Sequence, residues 1–133
     1  MLSLKYIIIP LLVVVISQSI KALIEYIKHK EINLVRLFIG MGGMPSTHSA
    51  LVSSLSTIIY LDYGLSSLFA ITFIFSLIVI YDSMGIRYES GKQAKIINDI
   101  AGSNLNEKIG HRPIETLVGT LLGISLSILL NII

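Results

Sequence analysis

The chain contains no cysteine, and only 14 % of its 133 residues are charged. The absence of cysteine excludes disulfide bonds, thiolate metal sites and cysteine nucleophiles. Soluble domains average about a quarter charged residues, whereas here 53 % of the residues are hydrophobic and the mean hydropathy is +0.83. A net charge of +2 is too small to indicate a nucleic-acid partner. The composition predicts an integral membrane protein with a single domain, residues 1–133.

Long hydrophobic runs occupy about residues 6–20, 47–61, 65–81 and 113–133. A helix needs about 20 apolar residues, within a range of roughly 17 to 25, to cross a bilayer. The last two runs meet this length. The first two are marginal and need shelter from neighbouring helices, or flanking lysines such as Lys5 and Lys21 that reach the interface. We therefore predict an all-α, integral membrane four-helix bundle.

The cations are distributed very unevenly along the chain. Of the 10 Lys and Arg residues, nine lie between the first and second runs or between the third and fourth, and only Lys5 precedes the first. The positive-inside rule then places both basic loops in the cytoplasm, and we expect the membrane to be a bacterial inner membrane. A cleaved signal peptide would export the first basic loop, so four spans are favoured. The segment KALIEYIKHK predicts either an extension of the first helix or a short interfacial helix in this basic loop, and KQAKIINDI predicts a helical turn or two.

Small residues recur at helical spacing in the second and fourth runs. Ser49, Ser53 and Thr57 are four apart, and Gly119 and Gly123 form a G-x-x-x-G pattern. Such spacing lets helix backbones approach closely within a membrane. The second and fourth helices are therefore expected to touch, either within one chain or across a dimer.

Turn-forming and polar residues cluster just before these same two helices. The second run follows GGMPSTH, which contains Gly43, Ser46, Thr47 and His48, and the fourth follows GHRP. Helix N-termini expose unpaired N–H groups that favour anions, and a glycine lets the backbone approach one closely. Ser46 or Thr47 also fits a simple helix N-cap. The two motifs share one predicted face of the membrane, which favours a phosphate site over two unrelated caps.

The second motif adds a carboxylate at a useful distance from its histidine. His111 and Glu115 are four residues apart and approach one helix face. A carboxylate on one imidazole nitrogen fixes the tautomer and leaves the other nitrogen free to attack. An imidazole such as that of His48 can protonate a leaving alkoxide. These residue types predict acid–base and nucleophilic chemistry at one site.

These motifs resemble those of a known superfamily. PSTH followed by GHRPIETLVGTLLG is similar to the patterns P-S-G-H and S-R-x5-H-x3-D of the type-2 phosphatidic acid phosphatases and vanadium haloperoxidases. The stretches GGMPSTHSALV, YDSMGIRYESGKQA and GHRPIETLVG look like the small bacterial and plastid membrane proteins of its divergent branch. The resemblance extends from about Gln18 to Gly123.

The resemblance implies a mechanism and a substrate class. His111 would form a phosphohistidine, Glu115 would orient it, and His48 would be the general acid. Ser46 and the neighbouring backbone amides, from Gly43 to Thr47, would hold the phosphate oxygens. No metal or other cofactor is implied. The expected partners are the bilayer and a lipid or isoprenoid phosphate, and a homodimer could supply the extra helices of the superfamily core.

The chain departs from the superfamily in its cations. The pattern K-x6-R-P is absent, although Lys21 and Arg36 precede PSTH at another spacing, and Leu105 stands where S-R-x5-H has arginine. Bidentate guanidinium–phosphate contacts are hard to replace. The candidate substitutes are Arg87, Lys92 and Arg112.

Asp82 directly follows the third hydrophobic run, and three roles are possible for its carboxylate. It could orient Arg87, bind a divalent cation together with Glu115, or form an interfacial salt bridge.

The leading hypothesis for the whole protein is a phosphatase acting on a lipid or isoprenoid phosphate. The alternative is a non-catalytic carrier or scaffold that binds lipid or phosphate. A small transporter is less favoured because no hydrophobic run carries a charge at its middle.

Overall fold

The computed structural model describes residues 4–30, 43–107 and 110–132. These residues form five helices and no strand, which confirms the predicted all-α class. The helices are α1 (Lys5–His29), α2 (Thr47–Tyr63), α3 (Ser67–Met84), α4 (Ile86–Ala101) and α5 (Pro113–Ile132). Arg36 lies outside the described residues.

Three helical runs are long and apolar enough to cross a membrane by length and composition. They are Lys5–Lys28, Ser67–Ala101 and Pro113–Ile132. The remaining helix, α2, has only 17 residues and packs against α1, α3 and α5. Contact with three neighbours provides the shelter that a short, serine-rich helix requires in lipid. A helical membrane bundle is thus established, and the assignment of α2 as a fourth span stays a prediction.

Small side chains connect α2 to its neighbours. Ser53 donates to the backbone carbonyl of Thr120 at 3.2 Å, and Ser127 of α5 donates to Ser54 at 2.6 Å. On the other side, Ser76 of α3 donates to the carbonyl of Val52 at 2.9 Å. A hydroxyl within a bilayer has no water to bind, so bonds of this kind favour helix association.

The G-x-x-x-G pattern of α5 lies directly against the first half of α2. A Cβ on Gly119 would overlap the carbonyl oxygen of Ser46 and lie 3.0 Å from its backbone nitrogen. A Cβ on Gly123 would overlap the carbonyl oxygen of Ala50 and the hydroxyl of Ser53. The predicted contact between these two helices is therefore confirmed, and it occurs within one chain.

The helix α4 is longer than the turn or two expected from KQAKIINDI, because it spans 16 residues. Helical hydrogen bonding continues through Gly85, whose N–H donates to Tyr81 at 2.9 Å and whose carbonyl accepts from Glu89 at 3.1 Å. A glycine with right-handed helical dihedrals does not interrupt the backbone bonds. Within the described residues, α4 packs against no helix other than α3.

The end of the bundle that holds Lys5 has its own polar cluster. Lys5 of α1 forms an ion pair with Asp62 of α2 at 2.7 Å and donates to Asn131 of α5 at 3.2 Å. The hydroxyl of Tyr6 donates to Asp62 as well. Three helices are therefore joined at the end opposite to the histidine motifs.

Candidate functional site

Ser46 anchors the first histidine motif and caps α2. Its side chain is fully buried and accepts from the N–H of Ser49 at 3.4 Å and from the Ser49 hydroxyl at 3.0 Å. Its own N–H donates to the carbonyl of Glu115 at 3.1 Å. The cap thus fixes the start of α2 on the first turn of α5, with His48 exposed in the turn that follows.

The second motif folds as its spacing predicts. Nδ1 of His111 lies 3.1 Å from Oε2 of Glu115, and the same oxygen accepts from the N–H of Arg112 at 3.2 Å. His111 is 5 % exposed. A carboxylate on Nδ1 favours the tautomer with hydrogen on that nitrogen and leaves the Nε2 lone pair available. The arrangement suits a nucleophilic imidazole.

The loop that carries His111 is docked on the junction of α3 and α4. The N–H of His111 donates to the carbonyl of Ser83 at 3.1 Å. A Cβ on Gly110 would come within 2.8 Å of the Cβ of Arg87 and 3.3 Å of the Tyr88 nitrogen. Only glycine permits so close an approach, and it brings the second motif next to Arg87.

Two cations act electrostatically on both histidines. Burial is the main cause that lowers the pKa of His111, and the positive charges of Lys21 and Arg87 lower it further, although the hydrogen bond to Glu115 opposes them. His48 experiences the positive charges of the same Lys21 and Arg87. The two motifs and the two cations therefore form one electrostatic site, and the lowered pKa of His111 favours its neutral form.

Lys21 reaches the site from α1. It is 9 % exposed, and its aliphatic stem lies 3.8 Å from the position of a Cβ on Gly43, whose φ is +90°. This left-handed backbone favours glycine, as expected for the loop before PSTH. One turn earlier in α1, the hydroxyl of Ser17 lies 3.5 Å from that of Thr47.

The side chains of three other predicted site residues, Lys92, Arg112 and Asp82, have no described contact with the histidines. Lys92 is exposed, pairs with Glu89 at 3.5 Å and lies over the ring of Tyr88 at 4.3 Å. The side chain of Arg112 is exposed, and Asp82 is half-buried near the end of α3. Among the residues described, no group of three or more His, Cys, Asp or Glu side chains could hold a metal ion. Of the candidate substitutes for the missing arginine, Arg87 is the one that acts on both histidines.

Comparison with known proteins agrees with these motifs. The sequence profile described as the Divergent PAP2 family matches residues 2–126. The chain belongs to this family. The matched range includes both histidine motifs, so the resemblance seen in the sequence is confirmed at the level of the family.

This divergent PAP2 family member also has a bacterial relative. It is similar to the uncharacterized membrane protein YuiD of Bacillus subtilis (strain 168), with 36 % identity over 139 residues. The alignment covers 88 % of this chain and 87 % of the relative. No solved structure matches the chain. The relative supports the assignment as a membrane protein.

The motifs of this family member did not single out Ser83 and Gly110 as parts of the site. Ser83 contributes a backbone carbonyl, which any residue type could supply, so no signal in the sequence marks it. Gly110 precedes His111 directly in the sequence, but the residues of α4 that it packs against, Arg87 and Tyr88, are distant from it in the chain. Both residues position the second motif, and neither has a side chain that takes part in the proposed chemistry.

Proposed function

We propose that this protein is a membrane-embedded phosphatase that hydrolyses a phosphomonoester of a lipid or isoprenoid. The observation that carries the proposal is the 3.1 Å contact between Nδ1 of His111 and Glu115. It prepares a neutral imidazole beside the cations Lys21 and Arg87. A buried nucleophile next to two positive charges is what attack on an anionic phosphate requires.

The reaction has two steps. Nε2 of His111 attacks phosphorus, the bond from phosphorus to the alcohol oxygen breaks, and His48 donates a proton to the departing alkoxide. Water then gives its proton to His48 and attacks the phosphohistidine, and the P–N bond breaks to release inorganic phosphate. Glu115 stabilises the imidazolium that forms during attack, while Lys21 and Arg87 offset the charge on the phosphoryl oxygens.

The two histidine roles can be separated with purified protein in detergent. Phosphate release from lipid phosphates should fall at least about 100-fold in both His48→Ala and His111→Ala, since acid–base groups contribute roughly 10²–10⁴-fold. The nitrophenolate of a nitrophenyl phosphate leaves without protonation, so this substrate should restore the first step, seen as a burst of nitrophenolate, in His48→Ala and not in His111→Ala. The matched control is His29→Ala, at the end of α1. Unchanged phosphate release in both site variants would refute the mechanism.

One observation favours a second function, that of a non-catalytic protein that binds lipid or phosphate. Leu105, at the position of the superfamily arginine, is 47 % exposed and its backbone is held by the Asn98 side chain. Asn98 lies in the last turn of α4, whereas Arg87 lies in the first. A carrier or scaffold would bind a lipid phosphate with no phosphate release by the wild-type protein, and this outcome distinguishes the two functions.

We also propose that the site faces the cytoplasm of a bacterial cell, because Lys21 and Arg87 lie at the histidine end of the bundle and Lys5 lies at the other. The chain has no cysteine, so single cysteines report topology without background. Ser103→Cys, after α4, should be labelled by an impermeant thiol reagent only in inverted vesicles. Ser66→Cys, between α2 and α3, should be labelled only in intact spheroplasts, and the opposite pattern would overturn the orientation.

A further inference from the structure

A row of exposed side chains on α1 continues past the level of the histidine site. Val15, Ser19, Leu23 and Ile27 are four residues apart, which places them side by side on the helix surface. The three apolar members are 61 %, 59 % and 69 % exposed, in chain order. The hydroxyl of Ser19 donates to the carbonyl of Val15 at 2.8 Å, so this polar member needs no water. Lys21, which reaches the site, lies between Ser19 and Leu23, so the apolar row extends beyond it.

On α1, charge returns to the exposed surface only beyond the site. The first exposed charged residue after Lys21 is Lys28, which lies seven residues, or about 10 Å, further along the helix. Glu25 lies between the two lysines, but it is half-buried and its spacing of four places it on the same face as Lys21. The exposed surface of α1 therefore stays apolar for about two turns past the site.

The same offset occurs where α3 continues into α4. The carbonyl of Ser83 accepts from the N–H of His111 and so marks the level of the site. The first exposed charged residue after Ser83 is Glu89, because Arg87 is half-buried. Glu89 lies six residues, or about 9 Å, beyond Ser83, and Ile86 between them is 67 % exposed. Two separate parts of the chain thus give nearly the same distance.

The start of α5 has one exposed charge at the level of the site. Arg112 is exposed, whereas Ile114 and Leu117, which follow it, are 55 % and 54 % exposed apolar residues. An arginine can lay its aliphatic stem along apolar surface and carry its guanidinium to the membrane interface. The charge of Arg112 is therefore compatible with lipid around Ile114.

The polar cluster at the opposite end gives an independent measure of depth. Lys5 pairs there with Asp62 and donates to Asn131. Lys5 and Lys21 are 16 residues apart in the sequence, which corresponds to about 24 Å of helix. Lys5 and Lys28 are 23 residues apart, or about 34 Å. The hydrocarbon of a bilayer is about 30 Å thick, so a membrane boundary at Lys21 would leave the bundle about 6 Å too short, and one near Lys28 fits with slight tilt.

We infer that the histidine site is submerged in the bilayer, about 5–10 Å inside the hydrocarbon boundary on its side of the membrane. The exposed surface formed by Leu23, Ile27 and Ile86 then binds the acyl chains of that leaflet, between the site and the headgroups. A phosphate bound there has left the headgroup plane, and moving its charge away from water is costly. The cations Lys21 and Arg87 lie at the same depth and offset this cost. The inference goes beyond the proposed function, because it applies equally to a phosphatase and to a phosphate-binding protein.

A single tryptophan can measure this depth, because the chain contains none. Ile114→Trp changes an exposed residue in the first turn of α5, and Ile27→Trp changes the residue beside Lys28. Each protein is reconstituted into phosphatidylcholine vesicles that carry bromine at a shallow or a deep acyl carbon, and the two degrees of quenching give the depth of the indole. We expect the indole of Ile114→Trp about 5–10 Å from the bilayer centre and that of Ile27→Trp about 15 Å from it.

A site in the headgroup plane predicts different depths. The indole of Ile114→Trp would then lie about 15 Å from the centre, and that of Ile27→Trp would be quenched by aqueous iodide. This result overturns the inference. If Ile114→Trp does not fold, Leu117→Trp replaces it. Its indole, one turn deeper, is expected within about 5 Å of the centre, against about 10 Å for a site in the headgroup plane.

The matched control is Leu65→Trp, between α2 and α3 at the opposite end of the bundle, where the native side chain is 86 % exposed. Its indole should lie at the opposite boundary, about 15 Å from the centre. Quenching is measured without substrate. Absence of phosphate release therefore refutes only the proposed phosphatase, and the depth of Ile114→Trp decides this inference by itself.

Discussion

Replacement of Gly119 by alanine tests whether α5 packs against the cap of α2. Alanine is about 1 kcal/mol more favourable than glycine within a helix, so the substitution should stabilise the protein if space were available. The new Cβ would instead overlap the Ser46 carbonyl oxygen and lie 3.0 Å from its nitrogen. Backbone atoms cannot rotate away, and overpacking of this kind costs typically 1–3 kcal/mol. The free energy of unfolding should therefore fall by up to about 2 kcal/mol.

The same substitution should impair the site. Ser46 donates to the Glu115 carbonyl at 3.1 Å, so a shift between α2 and α5 moves His48 relative to His111. Gly123→Ala is the matched control, since its overlap with Ala50 and Ser53 lies one turn farther from the site. It should lose similar stability and less turnover. Stability is measured by titration of mixed micelles with a denaturing detergent, and turnover by phosphate release. A Gly119→Ala protein that is about 1 kcal/mol more stable would refute the packing.

Three further predictions concern the charged groups. Glu115→Gln should lower kcat about 10²–10⁴-fold with a smaller change in KM, because a neutral amide stabilises the imidazolium poorly; equal kcat values would remove the carboxylate from the mechanism. The pKa of His111 is below the usual 6.5, so the acidic limb of kcat/KM, where His111 becomes protonated, should lie below pH 6.5, with a separate basic limb from loss of the His48 proton. An acidic limb above pH 6.5 would contradict a neutral His111. Lys5→Met should lower the free energy of unfolding by less than about 1 kcal/mol, since exposed ion pairs contribute little. Turnover should be retained, and its loss would show that the Lys5–Asp62 pair is coupled to the site.

Local spacing made the His111–Glu115 pair predictable. The two residues lie four apart at the start of a helix, and helix geometry alone places them together. The Gly119 and Gly123 pattern likewise predicted close packing with α2. The relative roles of the cations were not predictable in this way, because Arg87 and Lys92 both lie in α4, and only the approach of Gly110 to Arg87 in the folded chain distinguishes them.

The sequence by itself determined that the chain is a helical membrane protein with two histidine motifs at helix starts. Composition, the length of apolar runs and i,i+4 spacing are local properties, and they suffice for such statements. Only the tertiary structure decided that α2 lies at the centre, that Gly110 docks on α4, and that Lys21 and Arg87 act on both histidines. These contacts join residues far apart in the chain, and their choice depends on which surfaces can approach closely. Gly110 and Gly119 have no side chain, which permits that approach. No local sequence pattern predicts which part of the chain will pack against each glycine.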